Sequence, residues 1–128
     1  MNKRETIAVI LLLLGTVGTV VGIFSIEKCR RSRMFTVELL ARSPLNGNWY
    51  PRQLHLPLGE EVRILIRNVE TVTHGFALPA FNVGVAEIKA GEVAVVEFTP
   101  DKKGTFPFMC TVWCSDEHME MHGEVIVE

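Results

Sequence analysis

The chain has 128 residues, with 13 Lys/Arg against 15 Asp/Glu and a formal net charge of −2; that length supports one modest domain with little left over. The charge is uneven: residues 1–33 hold six Lys/Arg against two Glu, and residues 34–128 hold seven Lys/Arg against thirteen Asp/Glu. The second part is thus acidic by about six charges, which argues against nucleic acid as a partner and suits a basic one.

Residues 7–26, IAVILLLLGTVGTVVGIFSI, carry no charge over twenty positions, the length a helix needs to cross a bilayer. A cleaved signal peptide is the competing reading, because Lys3 and Arg4 precede the run. The run is longer than a usual signal core, and Glu27-Lys28-Cys29-Arg30-Arg31 follows in place of a small-x-small cleavage site. The expectation is an uncleaved anchor over residues 1–33: a single-pass helix in the lipid of the cell membrane, then a basic juxtamembrane segment. Lys28, Arg30, Arg31 and Arg33 outnumber the basic residues before the run, and basic flanks tend to stay in the cytoplasm. Lys3, Arg4 and the α-amino group offset that bias, and the metal chemistry below favours the outer, periplasmic or extracellular face. Cys29 lacks the small residues expected before a lipidated cysteine and reads as an incidental interfacial thiol. Gly18-Thr-Val-Val-Gly22, with Gly15 and Thr19 on an adjacent face, either packs a partner helix or reflects the frequency of glycine in membrane helices.

Residues 34–128 read as an all-β module. Phe35, Val37 and Leu39 alternate with Thr36 and Glu38; Val62, Ile64 and Ile66 alternate with Arg63, Leu65 and Arg67. Val93, Val95 and Glu97 interleave with Ala94, Val96 and Phe98, and Val125 and Val127 close the chain. Period-two runs separated by turn residues such as Asn46-Gly47, Leu58-Gly59, Ala90-Gly91 and Lys103-Gly104 indicate a sandwich or barrel. Such a module is small enough for a bound metal to add usefully to its stability. His74 follows the strand ending near Asn68, and two more strands precede the Phe-rich strand (Phe106, Phe108) that leads into the loop from Cys110 to Met121.

That loop packs two thiols, an imidazole and a thioether into twelve residues: Cys110, Cys114, His118 and Met121. Taken alone, Cys110 and Cys114 could be a disulfide, a redox pair or two zinc ligands, although zinc and redox motifs more often place two residues between the cysteines. Here the spacing is three, and His118 and Met121 follow at once. Methionine is a poor zinc ligand and a common axial copper ligand; thiolate and imidazole also suit copper. With His74 arriving from a distant segment, the set supplies the ligands of a blue-copper site, and the extra thiolate can bridge a pair of copper ions.

The spacing Cys-x-x-x-Cys-x-x-x-His-x-x-Met with an upstream histidine resembles the binuclear copper (CuA) motif of cytochrome c oxidase subunit II and of nitrous oxide reductase. The likeness extends to Trp49-Tyr50-Pro51 through Pro57-Leu-Gly59-Glu-Glu-Val62, to His74-Gly75-Phe76, and to Gly91-Glu-Val and Gly104-Thr-Phe. It implies a cupredoxin-like Greek-key β-sandwich over residues 34–128, preceded by one transmembrane helix. By resemblance, Cys110 and Cys114 bridge both coppers and His74 and His118 each cap one. Met121 is a weak ligand to one copper, and the backbone carbonyl of Val112 to the other. Oxidases usually carry Glu or Gln at the position of Val112, which leaves the carbonyl ligand intact but puts a neighbouring magnesium site in doubt. The Gly that usually follows the second cysteine is Ser115 here. Nitrous oxide reductase also has a large propeller domain with a second copper cluster, for which 128 residues leave no room.

The implied function is electron transfer: electrons arrive from a cytochrome c or a small copper protein and pass to haem in an oxidase subunit I. Nothing in the chain resembles a catalytic nucleophile, base or substrate pocket. The alternatives are a free-standing copper-handling protein and a mononuclear blue-copper carrier in which Cys110 plays no part. Asp116, Glu117 and Glu120 are either a docking patch for a basic donor or a solvated loop. Trp113 is either an electron gateway or a cover for the metal, and Trp49 and Tyr50 are expected to cap the sandwich. His55, alternating with Leu54 and Leu56, is expected to face solvent, His122 to lie outside the ligand set, and Met109 to pack in the core.

Overall fold

A computed structural model describes residues 2–128. Met1, where the expected anchor segment starts, lies outside the described residues. The chain forms two compact units, the first ending at Met34 and the second spanning Phe35–Glu128.

The first unit is one α-helix, α1, Lys3–Arg33, longer at both ends than the charge-free run of residues 7–26. At its start the Asn2 N–H donates to Glu5 Oε2 at 2.8 Å. At its end Glu27 pairs with Arg30 at 2.9 Å and Arg31 at 2.6 Å. Such i,i+3 and i,i+4 pairs extend a helix past its apolar stretch. By length and composition α1 can cross a membrane.

The second unit has eight strands: β1 (Phe35–Ala41), β2 (Gln53–Leu56), β3 (Val62–Asn68), β4 (His74–Leu78), β5 (Val83–Ile88), β6 (Val93–Phe98), β7 (Gly104–Met109) and β8 (His122–Val127). They make a three-stranded sheet, β1-β3-β6, and a five-stranded sheet, β2-β8-β7-β4-β5. Both sheets are mixed: β1 runs parallel to β3 and β2 parallel to β8, while β3–β6, β4–β5, β4–β7 and β7–β8 are antiparallel. Leu39, Ile64, Ile66 and Val96 from one sheet meet Leu54, Leu56, Phe76, Leu78, Phe108 and Val125 from the other in a single core. Alternating strands hydrophobic on one face can bury that face only against a second sheet, which is why period two yields a sandwich here.

Two strands depart from simple alternation. In β4 the burial runs through His74, Gly75, Phe76 and Leu78 almost without break, so His74 opens a strand rather than trailing one. β7 contains Pro107, which cannot donate to a ladder; it is tolerated because β7 meets β4 only at Ala77↔Met109, leaving that flank open. Among the described residues outside α1, helical structure is limited to three short 3-10 turns.

Candidate metal centre

Three chain segments meet at one end of the sandwich. β4 begins with His74; β7 delivers Cys110; the loop that follows returns through a 3-10 turn, His118–Glu120, to β8. The loop is closed at its base, where the Cys110 N–H donates to the Met121 carbonyl at 3.0 Å. The Met121 carbonyl also accepts Trp49 Nε1–H at 3.2 Å. Trp49 lies edge-on to Phe76 and Phe108, with centroids 5.9 and 5.7 Å away. Asn48, at φ 63°, sends Nδ2 to the Glu120 carbonyl at 2.8 Å. Asparagine is among the few non-glycine residues that enter this left-handed region readily.

All six sequence-predicted donors converge here. The Cys110 and Cys114 sulfurs are 4.0 Å apart, twice the S–S bond length of roughly 2.05 Å, and both cysteines are free thiols. His74 Nδ1 lies 3.9 Å from Cys110 Sγ, and the Val112 carbonyl oxygen 3.2 Å from the same sulfur. His118 Nδ1 lies 3.6 Å from Cys114 Sγ, and Met121 Sδ 3.5 Å from it. The donors therefore sort into two sets around two sulfurs: His74, Cys110 and the Val112 carbonyl, then His118, Cys114 and Met121. His74 and Met121 are fully buried, Cys110 is buried, and Cys114 and His118 are half-buried. Among the described residues, only His74, Cys110 and Cys114 form a group of three or more His, Cys, Asp or Glu donors packed closely enough to share a metal ion.

The electrostatics favour thiolate chemistry at Cys110. Burial pushes its thiol up, but hydrogen bonding with His74 and with the backbone of Gly75 and Val112 brings it below the ordinary thiol value. The Gly75 N–H points at this sulfur from 3.4 Å. Burial lowers His74, yet Cys110 and Glu70, facing its two nitrogens, raise it above the usual histidine range. Cys114, by contrast, is pushed up to about 11 by burial and by the charge on Cys110. Burial also raises Glu70, but hydrogen bonds from Asn46, Ser43 and His74 outweigh it and hold the carboxylate below its ordinary value.

Glu70 is a site residue that motif spacing did not reveal. Its Oε2 is 2.9 Å from His74 Nε2, and its other contacts come from a turn 24–27 residues upstream. Its sequence signal was an acid four residues before a candidate ligand histidine. Trp49 corrects an expectation: it does not cap the sandwich but is completely buried beneath the ligand loop, whereas Tyr50 is 62% exposed. Burial of the Trp49 indole satisfies its N–H on Met121 and fills the space between Phe76 and Phe108. Trp113 is 68% exposed, with its ring centroid 5.7 Å from that of His118. Asp116, Glu117 and Glu120 are exposed, as are His55 and His122; Met109 is half-buried. The hydroxyl of Ser115 is buried without a hydrogen-bond partner among the described residues.

A profile of the cupredoxin-like domain matches residues 19–127. The chain belongs to the cupredoxin-like domain family. This cupredoxin is 36% identical to the nitrous-oxide reductase of Cupriavidus necator over 102 residues, which is 77% of the chain but 15% of that reductase. It is 37% identical over 75 residues to the alternative cytochrome c oxidase subunit 2 of Bradyrhizobium diazoefficiens, covering 59% of the chain and 26% of that protein. The chain thus spans about a quarter or less of the length of these curated relatives. The crystal structure of the periplasmic domain of subunit II of cytochrome oxidase from Bradyrhizobium japonicum shares the fold. It superposes with a TM-score of 0.63 at 21% identity, over 73% of this chain and 83% of that one.

One glycine in the cupredoxin site is required by close approach. A Cβ on Gly75 would sit 2.2 Å from Thr111 Oγ1, 3.0 Å from the Ala86 carbonyl and 3.1 Å from Val112 Cγ2. Gly75→Ala is therefore expected to cost about 1–3 kcal/mol of stability, the range for overpacking. It is also expected to displace the 111–112 backbone that carries one weak donor. Thermal denaturation of the purified full chain, with metal content measured in parallel, checks both.

Proposed function

We propose that this chain is a membrane-anchored, binuclear-copper electron-transfer protein serving as subunit II of a haem-copper oxidase. It takes electrons from a cytochrome c or small copper protein and passes them to haem in subunit I. One observation carries the reading: two unbonded sulfurs 4.0 Å apart, each with its own imidazole Nδ1 at 3.9 or 3.6 Å. His74, Cys110 and Cys114 lie close enough together to share one ion, and His118 and Met121 beside Cys114 supply further donors that support a second. In this reading Cys110 and Cys114 would hold two copper ions between them, with His74 and His118 each serving one. Met121 and the Val112 carbonyl complete the two sets. The donor set, rich in thiolate and imidazole with a thioether, is the soft combination suited to copper.

Copper, when bound, supplies a one-electron redox couple. The chain supplies rigidity: the ligands sit at the ends of packed strands, and the loop is tied at its base to Trp49 and Cys110. Fixed ligands keep rearrangement on electron gain or loss small, which favours fast transfer. The exposed Trp113, beside the half-buried His118, offers a conducting face toward solvent. Asp116, Glu117 and Glu120 flank it and would speed encounter with a basic donor. α1 would hold the domain at the membrane, with the copper end on the outer face, as in the periplasmic relative.

The test is copper loading of the full chain in detergent with its thiols kept reduced, followed by removal of the reductant and oxidation with ferricyanide before EPR. Two ions per chain, and an EPR hyperfine pattern shared by two copper nuclei, support the reading; a single ion rules it out in favour of a mononuclear carrier. Copurification with haem from native membranes separates an oxidase subunit from a free-standing copper handler. Loading must also expel a proton, because the Cys114 thiol, pushed up to about 11, is protonated at neutral pH. Apparent copper affinity should therefore rise with pH, by about tenfold per unit for each proton released. Competition titration at several pH values reads this slope.

A further inference from the structure

We infer that Glu70 is a positioning residue for the metal centre: a fixed carboxylate that holds His74 with Nδ1 toward the sulfurs and lowers the centre's reduction potential. The inference rests on the copper reading of His74 above. His74 is fully buried, so no solvent competes for Nε2, which lies 2.9 Å from Glu70 Oε2. An imidazole that donates from one nitrogen presents the other as a lone-pair donor, so this contact selects Nδ1 as the ligand.

Glu70 is itself held on every side. Ser43 donates its N–H to Oε2 at 2.6 Å and its hydroxyl to Oε1 at 3.0 Å, and Asn46 Nδ2 donates to Oε1. The Glu70 N–H bonds Asn68 Oδ1 at 2.9 Å. Asn68 in turn anchors to the Val72 and Ile88 carbonyls at 2.7 and 2.8 Å. The carboxylate cannot swing away, and its donors favour the charged form. A fixed negative charge one ring away favours the more positive, oxidised state of the centre. The two imidazoles are thus unequal. Among the described residues, His118 has Trp113 against its ring and no carboxylate hydrogen-bonded to it.

The test compares copper-loaded full-length parent protein with Glu70→Gln, which keeps the size and one acceptor but removes the charge. The expected result is a shift of about tenfold in the equilibrium for electron uptake toward the reduced state, about 59 mV upward for one electron. Glu70→Asp, which restores the charge, should return the potential toward the parent. A Glu70→Gln protein that loads two coppers and keeps the parent potential overturns the inference while leaving the functional reading intact. A parent that takes up no copper overturns both. If Glu70→Gln does not fold, Asn46→Ala tests the same charge from its far side. It removes a donor from the carboxylate, strengthens the hold on His74, and should lower the potential; an unchanged potential again overturns the inference.

Discussion

Replacing Cys110 with serine is expected to leave a protein that binds at most a single copper ion, where the proposed binuclear centre would hold two. Cys110 is the more deeply buried of the two thiols and the one held below the ordinary thiol value. Its sulfur already faces three groups: the Gly75 N–H at 3.4 Å, the Val112 carbonyl at 3.2 Å and His74 Nδ1 at 3.9 Å. A serine hydroxyl is harder, shorter and not deprotonated near neutral pH, so it cannot bridge. His118, Cys114 and Met121 would remain as one donor set, with His74 as a fourth ligand. Losing an outer-shell partner of a metal ligand typically weakens affinity by about 10–100-fold, and losing a bridging ligand should exceed that for the second ion. The fold should survive, because the side chains are nearly equal in size. Metal analysis and EPR of the full-length variant check the outcome: one ion, with hyperfine splitting from a single nucleus. A Cys110→Ser protein still holding two ions would rule out thiolate bridging.

Trp49→Ala is expected to cause the largest loss of stability of any single change considered. Trp49 is completely buried, packs edge-on against Phe76 and Phe108, and donates to the Met121 carbonyl. Large-to-small substitution at such a site costs about 3–5 kcal/mol, a sizeable share of the 5–15 kcal/mol that holds a typical domain. The cavity would open directly beneath the ligand loop, so metal retention should fall together with the melting temperature. Trp49→Phe separates the two contributions. It keeps most of the apolar contact and deletes the indole N–H, leaving the Met121 carbonyl with Cys110 as its remaining donor, for a cost of about 1 kcal/mol plus the smaller lost volume. Thermal melts by circular dichroism, with and without copper, give both values.

Strands that bury one face were legible as alternation: Val62, Ile64 and Ile66 in β3 needed nothing beyond the period, and in β1 the same period buries Leu39 and half-buries Val37 but leaves Phe35 exposed. β4 was not legible in the same way, because His74, Gly75 and Phe76 are buried in succession and present no alternation. The parallel pairings β1–β3 and β2–β8 join segments whose relation depends on long crossovers, which local pattern does not encode. The candidate donors were legible as a group in the sequence because most of them share one short loop. What supports them was not: Glu70 meets Ser43 across 27 positions, and Trp49 meets Met121 across 72. Tryptophan next to a tyrosine and a proline reads as a rim residue. Only the folded arrangement of Phe76, Phe108 and the loop creates the space it fills.

The shared acceptor at Met121 bears on how an ion gets in and out. With the Cys110 N–H and the Trp49 indole both gripping one carbonyl, the first and last donors of the loop are stitched to each other. The arc between them, which carries Trp113, Cys114 and His118, is held by its own 3-10 turn and by Asn48 on the Glu120 carbonyl. In the copper reading, exchange of an ion would proceed by that arc opening locally as a flap, with the sandwich intact. Its rate should follow the flap's own opening equilibrium rather than the global unfolding of the domain.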